Sequence, residues 1–159
     1  MTRRWLRPVL ACDLDALADL HERAFPPGWS REALAALLGS PGVAAFLAES
    51  EADTAPCGFV LVRTAADEGE VLTIAVDPDR RRAGIARALL DMALAGAVCA
   101  GARAMFLEVE AGNVAAERLY ASAGFRIVGL RRDYYRHANG DRRDAQVMRL
   151  DLPGAVEQV

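Results

Sequence analysis

The stretch VLTIAVDPDRRRAGIA, residues 71–86, decides the fold that the sequence predicts. Its first six residues, 71–76, are nearly all apolar, which is typical of a central strand that is covered on both faces. Asp77 and Pro78 end that strand, and the small residues around Gly84 open a long helix. A strand that leads through a short turn into a helix indicates an α/β domain.

The turn between this strand and this helix is a candidate anion site. Small residues there let backbone N–H groups approach an anion, and the helix N-terminus adds about half a positive charge. These features suit a pyrophosphate. An arginine-rich solvated turn, with Gly84 present for packing, is the alternative. Neither of the common nucleotide loops, GxGxxG and GxxxxGK[ST], occurs in the sequence.

Patterns on both sides of this stretch predict further strands and helices. Asp13 and Ser30 are expected to cap the first two helices, and segments 53–56 and 65–69 are expected to be hairpin turns. Strands are predicted at 5–10, 43–49, 58–64, 70–76, 104–110, 126–133 and 142–150. Helices are predicted at 13–25, 30–38, 83–100 and 113–123.

Composition and charge exclude several classes of protein. The chain has 159 residues, of which 53% are hydrophobic, too many for a disordered chain. A formal net charge of −3 disfavours a nucleic-acid partner. Glycine and proline interrupt the longest uncharged run at 39–42, so we expect no membrane span and no membrane partner. The three cysteines form no CxxC pair, and we expect no secretion signal, so a cytoplasmic location is predicted.

A second candidate site lies downstream of the long helix. Glu108 falls near the end of a predicted strand, and Asn113 opens the next helix. Helical spacing turns Tyr120 inward, so an acid and a phenol are expected to converge at the end of the sheet. An ordinary strand-end carboxylate and an ordinary core tyrosine are the alternatives.

Taken together, these motifs resemble the GNAT superfamily of acetyl-CoA-dependent N-acetyltransferases. The motifs are segment 74–78, Arg81-x-x-Gly84-x-Ala86, segment 107–109, Asn113, Tyr120 and segment 124–125. Segments 25–30, 131–135 and 139–145 bring the resemblance closest to the RimI branch, whose members acetylate the N-terminal alanine of protein eighteen of the small ribosomal subunit. One departure is Pro26-Pro27-Gly28, where that branch often has a single proline.

The resemblance implies a fold and a mode of cofactor binding. The fold would be a single domain over residues 1–159, with a mixed, mostly antiparallel sheet of about seven strands, a splayed strand pair and about four helices. Acetyl-CoA would be the co-substrate, and no metal would be needed. Its pantetheine arm would pair with the backbone of Ile74, Ala75 and Val76, and its pyrophosphate would lie on Arg82, Ala83, Gly84, Ile85, Ala86 and Arg87. Asn113 would contact the arm, cap its helix, or do both.

The resemblance also implies a mechanism and an acceptor. Glu108 would act as general base, directly or through a water, and Tyr120 would protonate the leaving thiolate. Transfer would be direct, in a ternary complex, because no histidine lies near any cysteine in the sequence. His21 and His137 are interpreted as surface or core residues. The acceptor would be a protein or peptide N-terminus, as in a ribosomal protein, and Trp29, Tyr134 and Tyr135 would line its cleft.

Three other functions stay open at this point. One is acetylation of a small amine, which a deep acidic pocket would favour, and another is acetylation of a protein lysine. The third is a non-catalytic acyl-CoA-binding domain. Tyr134 and Tyr135 also have a simpler interpretation, as ordinary residues of a half-exposed strand.

Overall fold

The computed structural model describes residues 3–154 of the chain. The strands are β1 (Arg4–Pro8), β2 (Val43–Ser50), β3 (Asp53–Ala65), β4 (Glu68–Val76), β5 (Ala104–Glu110), β6 (Arg126–Arg136) and β7 (Arg142–Asp151). The α-helices are α1 (Leu14–Ala24), α2 (Arg31–Leu38), α3 (Ile85–Cys99) and α4 (Val114–Ser122). Short 3-10 turns occupy Ala11–Asp13 and Pro78–Arg80.

Within these residues, seven strands form one sheet in the order β1-β2-β3-β4-β5-β7-β6. Only β4 and β5 pair in parallel, and the other neighbours are antiparallel. The predicted fold class, a mixed and mostly antiparallel sheet with four flanking helices, is therefore confirmed. The predicted domain span of 1–159 includes residues 1–2 and 155–159, which lie outside the described residues.

The sheet separates two apolar cores. On one face, Leu17 of α1 and Leu34 of α2 pack with Phe59 of β3, and all three are fully buried. On the other face, Leu89 of α3 packs with Met105 of β5. Each such side chain contributes about 1.5–3 kcal/mol on burial, so the two cores fix the strands that carry the site. None of the helices in residues 3–154 is long and apolar enough to cross a membrane.

Two local expectations were wrong. Asp13 precedes α1, but its carboxylate makes no cap bond there; it pairs with Arg7 at 2.8 Å and accepts the N–H of Leu10 at 2.7 Å. The Arg7 guanidinium lowers the pKa of Asp13. Segment 53–56 is not a turn either. Ser50 pairs with Asp53, and a β-bulge accommodates the extra residues before Gly58.

The parallel pair β4–β5 opens along its length. Only Glu68–Glu70 pair with Ala104–Phe106, at the start of both strands. Because β4 continues to Val76 and β5 to Glu110, the two strands leave a gap between their carboxyl ends. This is the predicted splayed pair, and it confirms that expectation.

Candidate active site

One edge of β4 lines the gap with backbone groups. Ile74, Ala75 and Val76 pair on their other edge with Val60, Phe59 and Gly58 of β3. Beyond Glu70, no strand of the described residues pairs with the edge that faces β5. Backbone N–H and C=O groups need partners, so this edge can bind an extended, amide-containing ligand.

The turn after β4 presents the N-terminus of α3 to the same gap. Gly84 is its N-cap at φ 77°, and Arg82 also has a positive φ of 65°. No side chain in the described residues caps α3, so the first N–H groups of this helix have no side-chain acceptor. An uncapped helix N-terminus can bind an anion, and the phosphate role of this turn stays a prediction.

Side chains from other elements brace this turn. Arg4 of β1 donates to the carbonyl of Ala83 at 2.5 Å. The guanidinium of Arg87 contacts Asp91 at 3.0 Å and Ser122 of α4 at 3.1 Å. Arg87 can thus offer its backbone N–H to a ligand, whereas its side chain joins α3 to α4. Arg82 and Ala83 are exposed.

Asn113 caps α4. Its side-chain oxygen accepts the N–H of Ala116 at 3.3 Å, and Glu117 accepts the N–H of Gly112 at 3.1 Å. The capping interpretation is thus correct, and Asn113 is exposed, so its amide NH2 group can still reach a ligand.

Glu108 lies on β5 in an ion pair that the sequence did not reveal. Its Oε1 accepts from Nη1 of Arg131 on β6 at 2.6 Å, and 25% of the Glu108 side chain is exposed. The pair forms across β7, since β5 and β6 both pair with that strand. Within the described residues, Glu108 Oε2 makes no hydrogen bond to the protein, so it can accept a proton or a hydrogen bond from a water.

Tyr120 lies on α4, against the core beneath α3. Its ring meets that of Phe125 edge-on, with centroids 5.8 Å apart. Burial raises the pKa of Tyr120 to about 12, and the nearby Tyr135 phenol adds to the shift. Tyr120 is therefore a neutral phenol at neutral pH, the form that can donate a proton.

Glu108 and Tyr120 lie on opposite faces of the sheet. Leu107 and Val109 point into the core beneath α3, so Glu108 between them points to the other face. Tyr135 of β6 lies close enough to interact electrostatically with both Glu108 and Tyr120. Burial is the main cause that raises the pKa of Tyr135.

The aromatic residues predicted to line an acceptor cleft lie on two separate segments. Trp29 precedes α2 and stacks on the ring of His21, with centroids 4.7 Å apart. Tyr134 is 50% exposed on β6, and the Arg131 guanidinium lies 4.5 Å from its ring centroid. Because Arg131 also pairs with Glu108, it connects the candidate base to Tyr134.

The sequence did not reveal a second carboxylate near Glu108, which pairs with a histidine. Glu110 shares the strand face of Glu108 and contacts Nε2 of His137, which follows β6. Period-two spacing from Glu108 would have placed Glu110 on this face, but the partners of both carboxylates depend on the β5–β7–β6 register. His21 was also given no role, although it is buried beneath Trp29.

A family model described as the acetyltransferase (GNAT) family matches residues 14–125, from α1 through the turn after α4. The chain belongs to the GNAT family. It is accordingly an acyltransferase of the N-acetyltransferase type, and GNAT enzymes use acetyl-CoA as the acetyl donor.

Relatives narrow the position of the chain within the GNAT family. It is 35% identical over 140 residues to the [ribosomal protein bS18]-alanine N-acetyltransferase of Escherichia coli K12, covering 88% of this chain and 92% of that protein. A shorter match, 46% over 95 residues, links it to the N-alpha-acetyltransferase RimI of Mycobacterium tuberculosis, over 57% of this chain and 54% of that one. The crystal structure of the E. coli ribosomal-protein-S18-alanine N-acetyltransferase superimposes with a TM-score of 0.88 at 31% identity, over 99% of both chains.

Proposed function

We propose that the chain is a single-domain N-alpha-acetyltransferase that acetylates protein N-termini in the cytoplasm, with the N-terminal alanine of ribosomal protein bS18 as its acceptor. The observation that carries this proposal is the TM-score of 0.88 with the E. coli enzyme over 99% of both chains. No membrane or direct nucleic-acid contact is part of the proposal.

The gap between β4 and β5 would hold the co-substrate. Acetyl-CoA supplies an acyl group that is activated as a thioester. The free edge of Ile74, Ala75 and Val76 would bind the pantetheine amides, and the N–H groups of segment 82–87 would bind the pyrophosphate. A strand N–H near Val76 would polarise the thioester carbonyl. Asn113 would add a contact to the arm.

The acceptor amine must lose a proton before it attacks. Glu108 would accept that proton through Oε2, directly or through a water, while Arg131 holds Oε1 at 2.6 Å. An α-amine has a pKa of about 7.7–8.0, against about 10.4 for lysine. An N-terminus therefore needs roughly 3–4 kcal/mol less assistance at neutral pH, at about 1.36 kcal/mol per pKa unit.

Tyr120 would serve the leaving thiolate. Its pKa of about 12 keeps it protonated. That value exceeds the pKa of a free thiol, about 8.5, so proton transfer is favourable only where burial raises the thiol pKa as well. We therefore expect Tyr120 to stabilise the thiolate by hydrogen bonding first, and to transfer its proton in the same buried environment.

The charges around the site favour a peptide over a small polyamine. Arg131 pairs with Glu108 and His137 contacts Glu110, so neither carboxylate offers a bare anionic pocket. Exposed Tyr134 and half-buried Trp29 are of the kind that pack on a peptide backbone. A small amine and a protein lysine remain the competing acceptors.

Mass spectrometry of peptides incubated with the enzyme and acetyl-CoA tests the proposal. The panel contains a peptide copying the alanine start of bS18, the same peptide with its α-amine blocked, and a blocked peptide that retains lysines. We expect acetylation of the first peptide alone, on its α-amine. Transfer to lysine of the blocked peptides at a similar rate would reject the N-terminal assignment.

A further inference from the structure

Two consecutive side chains of α1 clamp the loop that leads to α2. The carboxylate of Glu22 accepts the N–H of Gly28, and Nδ1 of His21 accepts the N–H of Trp29 at 3.0 Å. A Cβ on Gly28 would lie 2.5 Å from the Cα of Glu22, so the loop backbone packs directly on the helix. Neighbouring amides of the loop are thus fixed by neighbouring residues of the helix.

His21 also bonds to strand β4. Its Nε2 lies 3.3 Å from Oγ1 of Thr73. Because Nδ1 accepts from Trp29, the ring proton resides on Nε2, which donates to the Thr73 hydroxyl. The imidazole is 4% exposed and packs against the rings of Trp29, Phe25 and Phe59. Its position is therefore determined on every side.

The bond to Thr73 reaches the strand that lines the cofactor gap. Thr73 lies past Glu70, where β4 has separated from β5, and directly precedes Ile74. The side chain of His21 therefore connects the proposed acceptor residue Trp29 to the proposed cofactor strand β4. A shift of the loop relative to β4 must break one of the two hydrogen bonds of His21.

We propose that His21 is a positioning residue that fixes the acceptor loop relative to the cofactor strand. This role rests on the proposed function, since it assigns the loop to the acceptor and the strand to acetyl-CoA. It requires a neutral imidazole, because a proton on Nδ1 would face the N–H of Trp29. Glu22 is the charged group that acts on the ring, from its own helix. The other residues that contact the His21 ring are uncharged. They are Phe25 and Trp29 from the loop, Phe59 from β3 and Thr73 from β4.

Steady-state kinetics with the bS18-type peptide test this role in four variants. His21→Leu removes both bonds, and we expect the peptide KM to rise about tenfold, equivalent to about 1.4 kcal/mol. Thr73→Val removes only the bond to β4 and should raise KM less, while Thr73→Ser should restore it. The Kd of acetyl-CoA should stay within about twofold in all of them. Leu17→Val, in the same buried cluster, is the control for lost packing alone: its melting temperature should fall without a change in KM.

Two further measurements separate positioning from general stability. The wild-type peptide KM should rise once the pH falls through the pKa of His21, which burial lowers from its ordinary value, and it should rise more steeply than in His21→Leu. Hydrogen exchange at the Gly28 and Trp29 amides should accelerate in His21→Leu, with or without a peptide. An active wild type with an unchanged KM in His21→Leu overturns this inference alone. A wild type that acetylates no peptide overturns the proposed function as well.

Discussion

The carboxylate of Glu108 is held by one oxygen and open at the other, which fits a base that must keep its orientation. We expect Glu108→Gln to reduce turnover about 10²- to 10⁴-fold, the usual range for a lost general base, with acetyl-CoA affinity unchanged. Excess peptide should not restore the rate. Glu49→Gln is a matched control. Glu49 lies on β2, away from the gap, is 29% exposed and pairs with Arg7 of β1 at 2.7 Å. An equal loss in both variants would reject the assignment.

Tyr120 has a pKa of about 12, so its ionisation lies outside the usual range of an activity assay. We expect Tyr120→Phe to reduce turnover by a factor that does not change between pH 6 and pH 10. The reason is that the phenol is protonated throughout that range. Any alkaline limb in the wild-type pH–rate profile should persist in the variant. Turnover close to the wild-type level in Tyr120→Phe would exclude it as the proton donor.

His21 also makes stability depend on pH. Burial lowers its pKa below the unfolded value of 6.5. The unfolded chain therefore binds more protons as the pH falls through 6.5, and stability is lost from there downward until the folded pKa is passed. Asp13 and Asp77, whose pKa values are lowered, lose their contribution only below about 4.

These two pH windows make the contribution of His21 measurable. The melting temperature of the wild type should fall between pH 7.5 and 5.5 by more than that of His21→Asn. Asparagine keeps an acceptor for the Trp29 amide and has no charge to acquire. Parallel melting curves for the two proteins over this range would show that His21 does not titrate on unfolding.

At the scale of elements, the two ends of α3 offer a controlled comparison. Gly84 at its N-terminus has φ 77°, Gly101 beyond its C-terminus has φ 94°, and no described atom lies within 4 Å of a Cβ at either position. Valine should meet no steric obstacle at either glycine and should cost similar backbone strain at both. Only Gly84→Val should abolish the thermal shift caused by acetyl-CoA, because only that turn is assigned to the pyrophosphate. Loss of the shift in both variants would remove the phosphate role of the turn.

The elements that could be predicted from the sequence are those set by local pattern. Strand β5 has the predicted bounds, Ser30 caps α2 through the N–H of Ala33, and the apolar run before Asp77 forms β4. Such features depend on residues a few positions apart, whose spacing can be read along the chain.

The interactions that could not be predicted join residues far apart in sequence. Arg131 meets Glu108 only because β7 lies between β5 and β6 in the required register. Asp13 lost its expected capping role to Arg7, which provides a stronger, charged partner. Both cases involve long side chains whose partners are chosen by the register of the sheet, and periodicity within one segment carries no information about it.

At the scale of the whole molecule, the gap divides the sheet. β1 to β4 lie on one side and β5 to β7 on the other. Within the described residues, the strand pairing that joins the two parts is limited to Glu68–Glu70 with Ala104–Phe106. A ligand that fills the gap would add contacts between these parts, so its binding should be visible both in stability and in local exchange.

Acetyl-CoA should therefore stabilise the whole fold while protecting a defined part of it. At about 100 times its Kd, a ligand selective for the native state adds about 2.7 kcal/mol to the free energy of unfolding. For a domain of this size, that raises the melting temperature by about 5–10 °C. Hydrogen exchange should slow at those amides of 71–76 that face away from β3, and at the amides of 82–87 in the turn. Residues 59–62 of β3, already paired on both edges, provide the internal reference. A thermal shift without added protection at 71–76 and 82–87 would place the ligand elsewhere on the molecule.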